Sequence, residues 1–504
     1  SQQYLADTFG QNWQDEYYVW DCAAGTGNLL AGLTNKYNIY ASTLDKQDVD
    51  VMHDRIKNGA NLLEKQVFQF DFLNDDFSKL PASLQDIIND SEKRKKLIIY
   101  INPPYAEHGN RTTIIAKGEH KSEVATKSRV HQEFSLIVGT ATRELFAQFF
   151  LRVYKEIPDA KLASFSTLKL VNSQNFIKFR QYFKAKYKNG FICRANTFDN
   201  VKGKFPICFS IWDLSEKVNI STITTNTILN NNLQTRTWIE GTKSFHAVGK
   251  DGFISAWLRK YYDKKNNPLA YLILPGVDMQ QQNGVYITEK PTESDLKQHK
   301  TASITKVNIM VIAIYFTVRQ CIEHTWINNQ DQFLYPNGLW EKDSEFKNDC
   351  LAFLLFHNQN KICTINGTNH WIPFTEREVE AQERFKSNFM TEFIQGKLQI
   401  EGNGNLLESE KNRTTPLEFS TEAQAVFAAG LALWRYYHAQ PKANPNASLY
   451  EIKAFFQGRN DKGRMNSKSE DAHYTKLLSN LKEKLHLLSK KIEPKVYQYV
   501  FLKD

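Results

Sequence analysis

From the first residues to about Leu214, short apolar or alternating runs are separated by longer stretches in which apolar residues recur at three- and four-residue spacing. That is the pattern of an α/β chain. The runs "YYVWDCA", "IYASTLD", "VFQFDFL", "LIIYINPP", "LASFS" and "ICFSIW" predict strands, and "NLLAGLTNKY" and "SQNFIKFRQYFKAKYK" predict helices between them. One sheet with helices on both faces is expected. After Asp213 the texture becomes Asn/Thr-rich, in "NISTITTNTILNNNLQTRTW", which places a boundary near 215. From about 300, "VNIMVIAIYFTVRQCIEHTW" and "EFKNDCLAFLLFH" predict helices of a second region, 215–419. A third region, 420–504, opens with "TEAQAVFAAGLALWRYYHA", where Thr421 and Gln424 have capping-box spacing, and closes with the amphipathic "YTKLLSNLKEKLHLLSKK". Ala439 to Ser448, "AQPKANPNAS", is a turn-rich connector.

A chain of 504 residues has room for about two to four domains, so it is no minimal binding module. Its net charge of +9 has the sign that a polyanionic partner requires. The six cysteines, Cys22, Cys193, Cys208, Cys321, Cys350 and Cys363, are scattered without a C-x-x-C pair. They predict neither a metal site nor a disulfide framework, and a reducing cytoplasm suits them. The longest apolar runs, "IMVIAIYFTV" and "AVFAAGLALW", fall short of the roughly 20 residues of a membrane span, and no signal-peptide pattern opens the chain. The expectation is a soluble, cytoplasmic protein without a membrane partner. Because the sequence begins at Ser1 rather than methionine, a missing upstream segment is also expected.

Chemistry concentrates at the ends of the predicted strands. In "VWDCAAGTGNLL", Val19 to Leu30, a strand meets a glycine turn that is expected to open a helix. Gly25 and Gly27 allow backbone angles closed to other residues and leave room for a ligand beside the main chain, and a helix N-terminus offers free N–H groups. A tight crossover wants glycine for its own sake, so the turn also has a purely structural reading. Leu30 stands where a dinucleotide fingerprint needs its third glycine, and no GK[ST] follows. Asp45, ending the next strand run, is placed to accept hydrogen bonds from ribose hydroxyls; the other reading is a solvated turn residue. Asp71, ending the third, would line the same crevice.

The fourth strand run stops on "NPPY". Proline lacks a donor and fixes φ, which ends a strand but explains neither Asn102 nor Tyr105. At a strand end the amide oxygen of Asn102 and the carbonyl of Pro103 can both accept from one planar amine. Pro103 and Pro104 hold those acceptors rigidly, and Tyr105 offers a face for stacking. Such a device orients an amine on a flat ring towards an electrophile, which describes a nucleobase amine meeting a methyl donor.

"DCAAGTGNLL", "FDFL" and "NPPY", in that order on matching strands, resemble the AdoMet-dependent amino-methyltransferases of DNA, with their D-x-x-x-G-x-G cofactor motif and [DNS]-P-P-[YFW] catalytic motif. The second motif also occurs in protein glutamine and some ribosomal RNA methyltransferases. The resemblance implies a Rossmann-like class I methyltransferase sheet and S-adenosyl-L-methionine as cofactor, bordered by Asp21, Ala23, Gly25 and Gly27. It makes Asp45 the ribose partner and Asp71 a contact near the cofactor's adenine, and gives the target base to Asn102, Pro103, Pro104 and Tyr105. "SQQYLADTFG" lies where these enzymes close over the methionine part, without their usual threonine-proline. "FDNVKGKFPICFSIW" resembles the late motif whose aromatic residue packs on the flipped base, with Phe198 and Phe205 as candidates and core packing as the alternative. The stretch from Asp71 to Asn102 is too short for a target-recognition domain, as in the gamma arrangement common among N6-adenine enzymes. The resemblance therefore implies target recognition and DNA binding in a mixed α+β and helical region at 215–419, and a helical DNA-binding region at 420–504.

Beside NPPY, "AEHGNRTTIIAKGEHKSEVATKSRVHQ" carries Arg111, Lys117, Lys121, Lys127 and Arg129. These read as phosphate contacts, or as an ordinary solvated loop. Arg459, Lys462, Arg464 and Lys468 punctuate a Gly/Asn/Ser segment and read similarly. His324, His357 and His370 lack ligand spacing and read as structural, and "SEFK" and "ESDLK" lack the upstream partner of a nuclease. The function expected is methylation of the N6 amine of adenine in duplex DNA by base flipping, in a restriction-modification or phage-defence setting with a restriction endonuclease as partner. Cytosine-N4 methylation, an RNA or protein methyltransferase, and a binding subunit on a decayed fold are the alternatives.

Overall fold

The computed structural model describes residues 1–104, 126–198, 203, 205–228, 239–298, 300–363, 368–398 and 415–503. These form two compact units: Ser1–Lys250 with Thr325–Gln330, and Asp251–His324 with Asp331–Lys503.

The first unit is built on nine strands: β1 (Tyr18–Asp21), β2 (Ile39–Thr43), β3 (Val67–Gln69), β4 (Leu97–Ile101), β5 (Lys161–Ser166), β6 (Lys186–Arg194), β7 (Pro206–Asp213), β8 (Thr222–Ile228) and β9 (Ile239–His246). Their order is β3-β2-β1-β4-β5-β7-β6-β8-β9. The first five are parallel, and β7 runs antiparallel between β5 and β6. Strands covered on both faces read as unbroken apolar runs, which is why Leu97–Ile101 is wholly buried. Side chains of a strand alternate between faces: Leu97, Ile99 and Ile101 enter one core cluster, and Ile98 and Tyr100 the other. Helices α1 (Gln2–Phe9) and α2 (Lys46–Lys57) bring Tyr4, Leu5, Val49 and Met52 to the Ile98 side. Helices α3 (Ala82–Asn89), α4 (Arg129–Val138) and α5 (Leu145–Glu156) bring Leu84, Phe134 and Phe150 to the other. This is the expected architecture, a Rossmann-like α/β sheet with helices on both faces.

Three local expectations are corrected. No α-helix follows the glycine turn; Asn28–Leu30 and Lys36–Asn38 are single 3-10 turns. Gly32 adopts φ 87°, and side chains hold the connection down: Gln14 Oε1 accepts from Thr34 N at 2.6 Å, and Asn61 Nδ2 donates to Leu33 O at 2.9 Å. The helix expected over 173–188 ends at Tyr182, as helix α6 (Ile177–Tyr182), because the chain from Lys186 pairs with β7. The unit also runs past the boundary expected at 214. In the Thr-rich segment alternate residues are buried, and β8 pairs with β6 in parallel and with β9 in antiparallel fashion. Threonine suits such half-covered strands, and Thr224 and Ser244 meet through their hydroxyls at 2.9 Å. Residues 325–330 close the loop after β5: the Gln330 side-chain oxygen accepts from Leu168 N at 3.2 Å, and its carbonyl from Asn172 Nδ2 at 2.8 Å.

The second unit combines helix α7 (Ile254–Arg259) and an antiparallel sheet, β10 (Ala270–Ile273) between β11 (Tyr286–Thr288) and β12 (Thr301–Ile304), with helices α8 (Ile309–Gln320), α9 (Ser344–Phe356), α10 (Thr421–His438), α11 (Leu449–Gln457) and α12 (Ala472–Gln498). Residues on both sides of position 420 share one core cluster, so this unit spans the boundary expected there. Helix α10 is capped one residue earlier than its sequence pattern suggests: Ser420 Oγ accepts from Ala423 N at 3.2 Å, and Gln424 turns back to donate to Phe419 O. Gly430 on α10 admits the ring of Phe356 from α9; a Cβ there would lie 2.2 Å from Cε1. Lys491 on α12 pairs at 2.9 Å with Asp349 on α9, whose side chain is 2% exposed. Among the described residues no helix is long and apolar enough to cross a membrane.

Candidate active site at the carboxyl edge of the sheet

Five parallel strands necessarily open their carboxyl ends at one edge. The order 3-2-1-4-5 makes β1 and β4 the pair at which successive connections diverge, and ligands of such sheets bind in the crevice outside that switch point. Asp21 ends β1, and Asn102 directly follows β4. Asp45 and Asp71 come two residues beyond β2 and β3. The four polar residues singled out by their strand-end positions thus share this edge.

Asp21 is 1% exposed, and burial pushes its carboxyl up to about 7, opposed by one hydrogen bond accepted from Ala23 N at 3.0 Å. The glycine turn then doubles back. Ala24 N donates to Ser42 O at 3.0 Å, extending the β1–β2 pairing into the loop, and Gly27 N donates to Ala24 O at 2.8 Å. Gly25 and Gly27 have φ of 51° and 82°, the left-handed region that favours glycine. A Cβ on Gly27 would press Met52 at 3.3 Å, whereas one on Gly25 would meet nothing within 4 Å. The loop is therefore closed against α2 and open beside Gly25. Arg55 on α2 braces it by donating to Thr26 O at 2.8 Å and Asn28 Oδ1 at 2.7 Å.

Asp45 is exposed at the N-cap position of α2 without capping it. The Asp71 carboxylate is engaged by its own loop: Oδ1 accepts from Leu73 N at 3.0 Å and Asn74 N at 3.2 Å, and Oδ2 from Asn74 Nδ2 at 2.7 Å. Asn102 is half-buried, Pro103 buried and Pro104 exposed. Tyr105 lies outside the described residues, as do Arg111, Lys117 and Lys121. Phe198 is half-buried with its ring 5.4 Å from that of Phe165 on β5. Phe205 packs against the same cluster, its carbonyl accepting from Ala195 N at 3.0 Å. Both rings thus join core packing to partial exposure.

Lys127 and Arg129 are exposed, and Arg129 lies 3.6 Å from Asp76 and 3.8 Å from Glu156. Such surface pairs are weak and leave the guanidinium exchangeable. In the second unit Arg459, Lys462 and Arg464 form a tight turn in which Asn460 N donates to Arg464 O at 2.9 Å and Gly463 N to Asn460 O at 2.8 Å. The Arg459 guanidinium lies 5.7 Å from the Tyr450 ring. Lys462 and Arg464 are exposed. Of the three histidines, His357 behaves as a core residue, packing against Phe316 and Phe353, where burial pushes it down to about 3; His370 is half-buried and His324 exposed.

Sequence reasoning missed two positively charged residues at this edge, Arg55 and Arg152. Neither sits in a motif. Only the folded contacts link them to the loops they hold.

No protein-family model matches the chain, and no curated protein matches it. Among solved structures, the chain is similar to the DrdV–DNA complex, at 15% identity and TM-score 0.32 over 44% of this chain and 26% of that one. It is similar to a nuclease-deletion mutant of the Type ISP restriction-modification enzyme LlaGI with a DNA substrate mimic, at 11% identity and TM-score 0.32 over 63% and 35%. A third is a modification subunit of a putative type I restriction enzyme from Vibrio vulnificus, at 10% identity and TM-score 0.29 over 50% of each chain. The chain spans well under two thirds of each.

Proposed function

We propose that this chain is an AdoMet-dependent DNA methyltransferase that acts on the exocyclic N6 amine of adenine in duplex DNA, in a restriction-modification or phage-defence setting. The observation that carries the reading is the placement of Asn102 and Pro103 immediately after β4, beside the end of β1, its buried Asp21 and the glycine turn. An orienting device for an amine and a loop with room for a ligand then face one crevice.

The residues fit S-adenosyl-L-methionine. The side of the turn at Gly25 is open where a side chain would otherwise fill it, and Asp21 is a buried carboxylate that a cationic ligand would stabilise in its charged form. The cofactor, when bound, supplies an electrophilic methyl group on a sulfonium. Asn102 Oδ1 and the Pro103 carbonyl would accept from the target amine and align its lone pair, so that orientation does most of the catalysis. Tyr105 would stack on the base, with Phe198 or Phe205 on its other side. Extrusion of the base costs a few kcal/mol. The turn with Lys462 and Arg464 would contact phosphates, and the second unit would supply target recognition.

Labelled AdoMet incubated with the chain and mixed-sequence duplex DNA, followed by digestion to nucleosides and mass spectrometry, tests this. Label in N6-methyladenine is expected. Label in N4-methylcytosine would move the chemistry to another base, and label only in RNA or protein, or none, would overturn the reading.

A further inference from the structure

One buried cation ties the backbone of the loop after β3. Arg152 lies on α5, is 3% exposed, and donates Nη1 to Phe72 O and Nη2 to Asp75 O. Its guanidinium carbon stands 4.7 Å from the ring of Phe77, 5.3 Å from Phe72 and 5.9 Å from Phe70. Burial lowers its pKa, but a guanidinium starts so high that it stays charged. An arginine buried this fully needs its donors satisfied, and the acceptors belong to the segment that begins with Asp71. The segment is also anchored by packing, with Phe72 and Leu73 buried in the core and the Phe72 ring stacked on Phe149 of α5 at 5.1 Å. Its other polar ties are local or at its margin, the turn made by the Asp71 carboxylate and Asn74 Oδ1 accepting from Arg129 N at 2.9 Å, so the guanidinium is what reaches the carbonyls of Phe72 and Asp75.

The remaining buried residues of α5, among them Phe146, Phe150, Leu151 and Val153, fasten the helix through apolar packing. The guanidinium is therefore not what holds the helix to the sheet. Its two bonds go to one loop, and that loop stands at the carboxyl edge on the β2 side of β1, outside which ligands of such sheets lie.

From this geometry we infer that Arg152 is a positioning residue: it holds the Asp71 loop in the shape that receives the adenosine half of the cofactor. The inference rests on the function proposed above. Its signature is a selective loss of cofactor affinity, because a loop that is only part of the time in the receiving shape weakens binding by that fraction. The methyl-transfer step, built on Asn102 and Pro103, stays intact.

The test compares wild type with Arg152→Met and Arg152→Lys in the full chain. Arg152→Met is expected to weaken AdoMet and 5′-methylthioadenosine by the same factor, about tenfold, with kcat at saturating cofactor and KM for DNA changed by less than about twofold. Arg152→Lys, whose point charge replaces a two-pronged donor, is expected to fall between. In the ligand-free chain the amides of Leu73 and Asn74 should exchange hydrogen faster in both variants. Unchanged affinity in a folded variant, or kcat, DNA affinity and cofactor affinity falling together, overturns the inference. Should the wild type bind no AdoMet, the proposed function fails; unchanged amide exchange would then also refute the hold on the loop, and faster exchange would uphold it. Arg152→Lys keeps the test open should the methionine variant not fold.

Discussion

Asp21 ends β1 as a carboxyl only 1% exposed. Its carboxyl titrates near 3.8 when solvated, and burial moves it to about 7. Below about pH 4 the folded and unfolded chains both hold the proton. Between about 4 and 7 only the folded chain holds it, so stability falls as pH rises, by about 1.4 kcal/mol per pH unit. Above about 7 the loss is complete, up to about 4 kcal/mol. Asp21→Asn has no charge to desolvate and keeps an oxygen to accept from Ala23 N. In the ligand-free full chain, the variant's advantage over wild type should be smallest near pH 4, grow up to about pH 7 and stay constant above it. Because the chain has two compact units, the readout is urea-dependent hydrogen exchange of the β1 amides. A cationic ligand in the crevice would draw the proton off, so calorimetry of AdoMet binding in buffers of different ionisation heat should find proton release at pH 6 and almost none at pH 8.5. Wild type and variant differing by a constant amount across pH would refute the argument, since a desolvated charge must show its titration.

Asn102→Ala should lower kcat by about a hundredfold or more, the loss expected from one preorganised group, while AdoMet affinity by calorimetry stays unchanged; unaltered turnover would remove Asn102 from the mechanism. Lys491→Met leaves Asp349 buried with its backbone bond from Ser420 N but no cation. Because Lys491 is itself partly exposed, the cost should fall at the low end of the buried-pair range, about 3 kcal/mol, read as a lower urea midpoint for α9 and α12 amides. The double variant Lys462→Ala/Arg464→Ala should weaken DNA binding evenly across sequences and reduce the salt dependence by about one counterion per charge removed; an unchanged slope would free both residues from phosphate contact.

The strands of the first unit were legible because burial on both faces writes itself as unbroken apolar runs: all six expected runs contain observed strands. β6 was not legible, since its first residues continue the three-and-four spacing of α6 and only pairing with β7 makes them a strand. The missing helix after the glycine turn has the same cause in reverse. Asn28 to Tyr37 has helical spacing, but Gly32 and the side chains of Gln14 and Asn61 fix another path. At the site, the strand-end residues could be found because a parallel sheet converts sequence order into a shared edge. Their supports could not, because Arg152 acts through backbone carbonyls, which leave no trace in residue identity, and Arg55 through the Thr26 carbonyl and the side chain of Asn28, 27 residues away in sequence and outside any motif.

That contrast bears on how the crevice is prepared. Both loops flanking β2 are held by arginines donating to carbonyl oxygens, Arg55 to Thr26 and Arg152 to Phe72 and Asp75. Carbonyl acceptors leave the carboxylates near them uncommitted to those cations: Asp21 is bonded by Ala23 and raised by burial, not lowered by a salt bridge. A salt bridge to Asp21 would hold it charged in advance and weaken its demand for a cationic ligand. Bracing the loops through their backbone fixes the shape of the crevice and leaves its negative charge to be completed by whatever binds.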